Sequence, residues 1–196
     1  MKKLKVSLLV LIFASGSLNA QIKAPSNAGF ADSLRYIIRE FAGNYQGIQG
    51  RQLPVQQEGL VFLSKKCLPG ALKCIIQRFQ SKEDPTASWQ AAFYEGASFA
   101  DASKIYKKLC SQIKGVSFTG VDKAAISLTG KTEQPDENLK FTVSSFFFKT
   151  KQVPYRYFSA DVELLGNYEG WEVRLNIYSN KNAGKENQEE EADSDN

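Results

Sequence analysis

Two carboxylates and several tyrosines occur at alternate positions of one segment, residues 155–165, where they could act together. The side chains of a strand point alternately to its two faces, so in an extended segment these residues share one face. They are Tyr155, Tyr157, Ser159, Asp161 and Glu163. Two neighbouring carboxylates can hydrolyse a glycoside, one as acid and the other as base or nucleophile.

Residues 170–178 alternate in the same way. One face of this segment is apolar, with Trp171, Val173, Leu175 and Ile177. The opposite face carries Glu172, Arg174, Asn176 and Tyr178. If the two segments pair, one side of the sheet packs under helices and the other side presents acids, an arginine and tyrosines.

This polar face has three possible interpretations. It can be an ordinary solvated sheet face, with Tyr chosen for its β-propensity and the acids paired with Arg174 and Lys149. It can be a binding surface, or it can hold a catalytic pair of carboxylates. A catalytic pair needs a concave site that perturbs the acids, and a flat sheet offers little concavity. The pattern therefore favours binding over catalysis.

The composition excludes many enzyme classes, because the 196 residues contain no histidine. Ser-His-Asp and Cys-His nucleophilic sites are excluded, as are His-ligated zinc, copper and non-haem iron. With one Met and three Cys, a soft-metal or iron–sulfur site is not expected either. We expect no metal and no cofactor.

A run of three phenylalanines adds an apolar component to the polar side. In an alternating strand, Phe146 and Phe148 enter the core while Phe147 faces outward with Val143. An outward Phe beside tyrosines makes an apolar patch, and such patches often mark partner sites. A second layer of the domain or a dimer could equally cover it. The predicted binding surface consists of Phe147, Tyr155, Tyr157, Asp161, Glu163, Glu172, Arg174 and Tyr178.

The elements that would position these residues follow from hydrophobic periodicity. Residues 30–43 and 98–114 have the apolar stripe of amphipathic helices. Seven segments rich in β-branched or aromatic residues are predicted strands: 59–67, 72–80, 88–95, 123–129, 139–150, 155–165 and 170–178. The connections are too short for most parallel crossovers. The prediction is a two-layer α+β domain with a mainly antiparallel sheet, both helices on one face and the order α-β3-α-β4.

The second helix carries a resemblance to a known group of proteins. With an N-terminal export segment, the stretch Ser98-Phe99-Ala100-Asp101-Ala102-Ser103-Lys104-Ile105-Tyr106 and the later strands, the chain resembles small secreted α+β proteins of unknown function from Bacteroidetes. Some of those have a TATA-binding-protein-like layout. The resemblance covers most of the chain in layout and implies a location in a Gram-negative cell envelope. It carries no catalytic residues over.

The cysteines predict one disulfide. Cys67 and Cys74 flank Leu68-Pro69-Gly70-Ala71, a turn sequence, and a loop slightly wider than a two-residue turn brings them face to face. We expect a Cys67–Cys74 bond in an oxidising compartment and burial of Cys110 as a small hydrophobic residue.

The first and last segments are predicted to lie outside the fold. Lys2, Lys3 and Lys5 precede the apolar run 6–13 and the small residues 14–20, as in a secretory signal peptide cleaved near Ala20. Residues 185–196 hold six acids against one lysine and no aromatic or β-branched residue, which predicts a disordered acidic tail. The domain between them spans 21–184.

The charge is divided between these segments. The formal net charge of the whole chain is +4. The domain holds 21 basic and 15 acidic residues, a net charge of +6, and the tail carries −5. The acidic tail can either fold back on the basic domain or remain solvated.

Together these features predict a secreted or periplasmic, non-catalytic binding module. Its partner would be a protein, a glycan or an envelope component on the polar sheet face, with no nucleic acid and no transmembrane span. Two alternatives stay open: a histidine-free hydrolase that uses Asp161, Glu163 or Glu172, and a carrier of an apolar ligand between sheet and helices. The oligomeric state is not predicted.

Overall fold

The computed structural model of the protein describes residues 27–54, 59–79, 86–119 and 124–180. The predicted signal peptide (1–20) and acidic tail (185–196) lie outside these residues. The described chain forms two α-helices, α1 (Asn27–Ala42) and α2 (Phe99–Ile113). Its nine strands are β1 (Gln49–Gln52), β2 (Leu60–Ser64), β3 (Lys73–Arg78), β4 (Ala87–Gly96), β5 (Ser117–Thr119), β6 (Ala125–Gly130), β7 (Phe141–Phe148), β8 (Phe158–Asn167) and β9 (Gly170–Ser179).

Both helices form where the apolar spacing predicts them. In α1, the side chains of Leu34, Ile37 and Ile38 are completely buried. Helix α2 begins after Ser98, whose hydroxyl accepts a hydrogen bond of 3.2 Å from the backbone N–H of Asp101. This bond satisfies one of the unpaired N–H groups of the first turn.

The strands form one antiparallel sheet in the order β1-β2-β3-β4-β9-β8-β7-β6-β5. The α+β class, the antiparallel sheet and the two helices are confirmed. The predicted order α-β3-α-β4 is wrong, because four strands follow α1 and five follow α2. The two additional strands, β1 and β5, have four and three residues and lie at the two edges of the sheet. Segments this short show no alternation that a sequence could reveal.

The helices cover one face of the sheet. Phe41 of α1 packs edge-on against Phe158 at 5.1 Å, and Phe30 lies 6.5 Å from Phe93 of β4. The hydroxyl groups of Tyr106 in α2 and Ser144 in β7 are hydrogen-bonded. The space between the layers is filled by large side chains that are almost fully buried, among them Trp89, Tyr45, Tyr106, Phe146, Phe148 and Phe158. This packing leaves the opposite face of the sheet without a helix among the described residues.

Two polar contacts fix large core residues. The indole N–H of Trp89 donates to the Ser64 hydroxyl at 3.0 Å, and the Tyr45 hydroxyl donates to the carbonyl of Ile177 at 3.0 Å. Each bond satisfies a polar group that burial would otherwise penalise. The second bond also ties the first half of the chain to β9.

The predicted disulfide between Cys67 and Cys74 is present, with a Cα–Cα distance of 5.6 Å. It closes the loop between β2 and β3. Cys110 is buried, and burial raises the pKa of its thiol. None of the helices in the described part of the chain is long and apolar enough to span a bilayer.

Candidate functional site

The face of the sheet opposite the helices, termed here the outer face, is defined by the strand register. Asp161 of β8 lies opposite Asn176 of β9, which lies opposite Gln90 of β4. One step along the strands, Glu163 lies opposite Arg174. Cross-strand partners share a face, so the polar side chains of the two central segments form one continuous band. The structure thus brings together Asp161, Glu163, Glu172, Arg174 and Tyr178, as the alternation predicts.

Asp161 is the polar centre of this band. Its carboxylate is largely buried, at 8% exposure. The Ser159 hydroxyl donates to Oδ1 at 3.0 Å, and the Tyr178 hydroxyl donates to Oδ2 at 2.8 Å. Burial, together with the hydrogen bond and charge of Asp161, raises the pKa of Tyr178 to about 12. Both carboxylate oxygens are therefore held by hydroxyl donors from the protein.

Glu163 is occupied by an ion pair. The Arg174 Nε–H donates directly to Glu163 Oε2. A second nitrogen of the same guanidinium, Nη1, lies 3.9 Å from Oε1 of Glu172. One cation therefore lies between two carboxylates, and Glu163 is the more closely paired of the two.

Strand β7 places three apolar side chains beside the polar band, interrupted by the exposed Ser145, which lies opposite Asp161. Phe147, Val143 and Phe141 point to the outer face because their register partners on β8 are Ser159, Glu163 and Leu165. Phe147 and Val143 are half-buried, whereas Phe141 is 54% exposed. The outward direction predicted for Phe147 is the one observed.

The prediction that Tyr155 lies on the outward face of a strand is wrong. Strand β8 begins at Phe158, and residues 155–157 form a turn of 3₁₀ helix instead of its first residues. The turn directs the Tyr155 ring into the core, where it is 4% exposed and packs 5.0 Å from Phe118 and 6.1 Å from Phe148. Tyr157 stays half-buried at the margin of the outer face, with the Arg156 guanidinium 4.4 Å from its ring centre.

Strand β4 contributes residues that the sequence did not single out. Gln90 donates to Ser88 at 3.3 Å and lies 3.4 Å from the side-chain oxygen of Gln77 on β3. The side-chain oxygen of Asn176, between Asp161 and Gln90, is buried and has no hydrogen-bond partner among the described residues. The sequence does contain a signal for this contribution: Ser88 and Gln90 alternate with the apolar Trp89, which would place both polar side chains on the outer face.

Other features offer weaker sites. A pocket of about 240 Å³ beside the disulfide is lined by Asp32, Ser33, Tyr36, Lys66 and Cys67. This volume is below the ~300 Å³ at which ligand pockets begin. Within the described ranges, no three His, Cys, Asp or Glu side chains are grouped as a metal site requires.

Comparison of the chain with protein-family models, with curated proteins and with solved structures finds no match. The resemblance to secreted Bacteroidetes proteins therefore rests on the layout of the sequence and stays a prediction. The functional proposal therefore rests on the geometry of the outer face.

Proposed function

We propose that the protein is a non-catalytic binding module and that the outer face of the sheet is its binding surface. One observation carries the proposal. Asp161 and Glu163 on this face are engaged by donors of the protein itself, while the rings and apolar side chains around them remain partly exposed. Such a surface is built to present fixed groups to a partner.

The same observation argues against the hydrolase. A glycosidase needs one carboxylic acid that reaches the leaving-group oxygen and a second carboxylate that reaches water or the sugar. Both oxygens of Asp161 accept hydrogen bonds, and Glu163 is bound to Arg174. A substrate would have to displace these internal donors before Asp161 or Glu163 could act. Glu172, the third candidate, lies beside the same Arg174 guanidinium, with its Oε1 3.9 Å from Nη1.

The polar groups would favour binding because they are already fixed, which lowers the conformational entropy lost when a ligand binds. Side chains already held by hydrogen bonds lose little conformational freedom when a ligand arrives, which saves about 0.5–1.5 kcal/mol for each long side chain. A protein strand, a glycan or an envelope component could use such a band of amide, hydroxyl and guanidinium groups. For its location we propose secretion or the periplasm, supported by the disulfide and by the signal-like residues 1–20.

The test compares outer-face variants with a matched control. Phe147→Ala and Tyr157→Ala remove partly exposed rings from this surface, and Tyr168→Ala removes a fully exposed ring from the β8–β9 turn. Binding is measured on an array of defined glycans and on an array of extended peptides, and thermal unfolding is followed in parallel. We expect the outer-face variants to lose about tenfold or more in affinity, as central aromatic contacts do.

Their melting temperatures should stay near that of the unchanged protein, and Tyr168→Ala should bind normally. Two results would overturn the proposal. Equal binding by all three variants would place the ligand elsewhere. Extensive unfolding of Phe147→Ala and Tyr157→Ala would show that these rings serve the core.

A further inference from the structure

Helix α2 presents a row of lysines to solvent. One side of the helix packs on β4, β8 and β9 and contains the buried residues Ala102, Tyr106, Leu109, Cys110 and Ile113. The other side carries Lys104, Lys107 and Lys108, and Lys114 follows at the C-cap; all four are exposed. We call these four residues the lysine ridge. A helix turns by about 100° and rises about 1.5 Å per residue, so the first three lysines lie within an arc of about 100° and the lysine ridge is about 15 Å long.

The charge of the lysine ridge is not balanced by the described part of the chain. No carboxylate there forms an ion pair with any of the four ammonium groups. Asp101, in the first turn, is the one acidic residue of α2. Elsewhere lysines do pair: Lys131 Nζ, for example, lies 3.0 Å from Glu133 Oε1. Four unpaired cations on one helix produce a local excess of positive charge, which attracts anions over about 8 Å in physiological salt.

The stability of α2 does not account for the lysine ridge. Cations stabilise a helix in its last turn, where they face the negative end of the dipole. The last turn of α2 contains no basic residue, and only Lys114, at the C-cap, lies close to it. Lys104 lies three residues before Lys107 and four before Lys108. Like charges at these spacings are neighbours on the helix surface and destabilise it. An anion held along the lysine ridge would relieve this repulsion.

We propose that the lysine ridge binds an acidic polysaccharide, with the carboxylates of the polymer lying along the helix. This surface is separate from the outer face, because the helices cover the other side of the sheet. A linear polyanion meets several cations of one row at once, and each further contact then forms at a high effective concentration. Short lysine-rich stretches are typical of polyanion sites. The choice of a polysaccharide over a nucleic acid rests on the proposed location outside the cytoplasm.

An anionic lipid bilayer fits the lysine ridge less well. Stable attachment to a membrane takes a second signal besides basic charge, such as apolar side chains that enter the lipid. Ala100 and Ser111 are exposed near the middle of the same side of α2, and neither side chain is large enough to insert. The apolar side of the helix is already buried in the core. The lysine ridge therefore offers charge alone, in one row, which suits a linear polymer.

Binding of a fluorescent polygalacturonate oligosaccharide to the full chain tests the proposal, with dextran as the uncharged polymer. The lysine-ridge variant combines Lys104→Gln, Lys107→Gln and Lys108→Gln. A matched control combines Lys65→Gln, Lys73→Gln and Lys149→Gln, which remove the same charge from exposed positions outside α2. We expect the lysine-ridge variant to lose about tenfold or more in affinity, because it loses several contacts with one polymer, and the control to lose less than about threefold. Dextran should not bind.

Three further measurements accompany this comparison. Lys104→Arg with Lys107→Arg and Lys108→Arg keeps the charge and should keep the binding. Phe147→Ala should bind the polysaccharide normally, so that failure of this proposal and failure of the outer-face proposal are distinguishable. The melting temperature of the lysine-ridge variant should equal or exceed that of the unchanged protein, because neighbouring like charges are removed and glutamine is a good helix former.

Several results would overturn the proposal. Equal losses in the lysine-ridge variant and the control would reduce the effect to the net charge of the molecule. Unchanged binding by the lysine-ridge variant, or no binding by the unchanged protein, would remove the polysaccharide site from α2. Binding that depends on the lysine ridge but is tighter to vesicles of phosphatidylcholine and phosphatidylglycerol than to the polysaccharide would assign the lysine ridge to a membrane surface instead.

Discussion

The hydroxyl of Tyr178 has a larger role in the outer face than its size suggests. It donates to Asp161, and Ser159 supplies the second donor to the same carboxylate. Asp161 is a charged group with only 8% of its surface exposed, so the loss of a donor would leave a charge partly unpaired. Leaving a buried polar group without its partner costs more than the hydrogen bond itself contributes.

Tyr178→Phe should therefore destabilise the protein by about 1.5–3 kcal/mol, the usual range for a hydrogen bond to a charged group. Urea unfolding at pH 7 measures the loss, with Tyr168→Phe at the exposed turn as the control. Equal stability of Tyr178→Phe and the unchanged protein would show that solvent replaces the hydroxyl without cost.

The same residue makes a prediction about alkaline pH. Folding raises the pKa of Tyr178 from 10.0 to about 12, so the folded state keeps a proton that the unfolded state loses first. The stability linked to this group is complete below pH 10 and declines as the pH rises toward 12. Between these values, the free energy of unfolding should fall less steeply with pH in Tyr178→Phe than in the unchanged protein. Parallel slopes in the two proteins would contradict the assignment.

At the scale of the elements, the short turn before β8 decides which tyrosines are available for binding. Extended alternation from residue 155 would place both Tyr155 and Tyr157 outward. The 3₁₀ turn Tyr155–Tyr157 follows Pro154, whose backbone is in the right-handed helical region, and it sends Tyr155 into the core. Period-two reasoning fails wherever a strand starts later than its pattern suggests, because one local turn changes the direction of the side chains.

The two tyrosines should accordingly differ in their contribution to stability. Tyr155→Ala removes a buried ring and should cost about 3–5 kcal/mol, whereas Tyr157→Ala should cost less than about 1 kcal/mol. Chemical denaturation of both variants measures the difference. Similar losses would mean that the turn does not separate a core side chain from a surface one.

The sequence was most informative where alternation was long and regular. The directions of Asp161, Glu163 and Arg174 could be predicted because β8 and β9 each run for ten residues with one apolar face. The burial of Asp161 and its two hydroxyl donors could not be predicted, since they depend on the register between strands. The edge strands β1 and β5 were missed because they are held by one neighbour and carry too few residues to show a period.

At the scale of the molecule, the chain consists of two consecutive halves, α1 with β1–β4 and α2 with β5–β9, joined along β4 and β9. Their last strands are antiparallel neighbours at the centre of the sheet, with Trp89 opposite Ile177 and Gly96 opposite Trp171. A single hydrophobic core includes buried residues of both halves. This shared core predicts that neither half unfolds independently.

Trp89 and Trp171 provide a probe in each half. Trp89→Phe and Trp171→Phe each leave one tryptophan, and its fluorescence reports on β9 or on β4, respectively. In each variant, the fluorescence midpoint in urea should coincide with the far-ultraviolet circular dichroism midpoint. Fluorescence and circular dichroism transitions separated by more than experimental error would indicate halves that unfold in separate steps.

The central position of β9 also constrains how the protein can fold during its synthesis. Synthesis proceeds from the N-terminus, so the strand that closes the middle of the sheet is the last of the described strands to emerge. Until it does, β4 and β8, ten residues each, both present an open row of backbone donors and acceptors to any extended chain nearby. A nascent chain that stops before Gly170 would keep two long unpaired strand edges. In the described part of the finished chain, the edge strands of the sheet are instead the short β1 and β5.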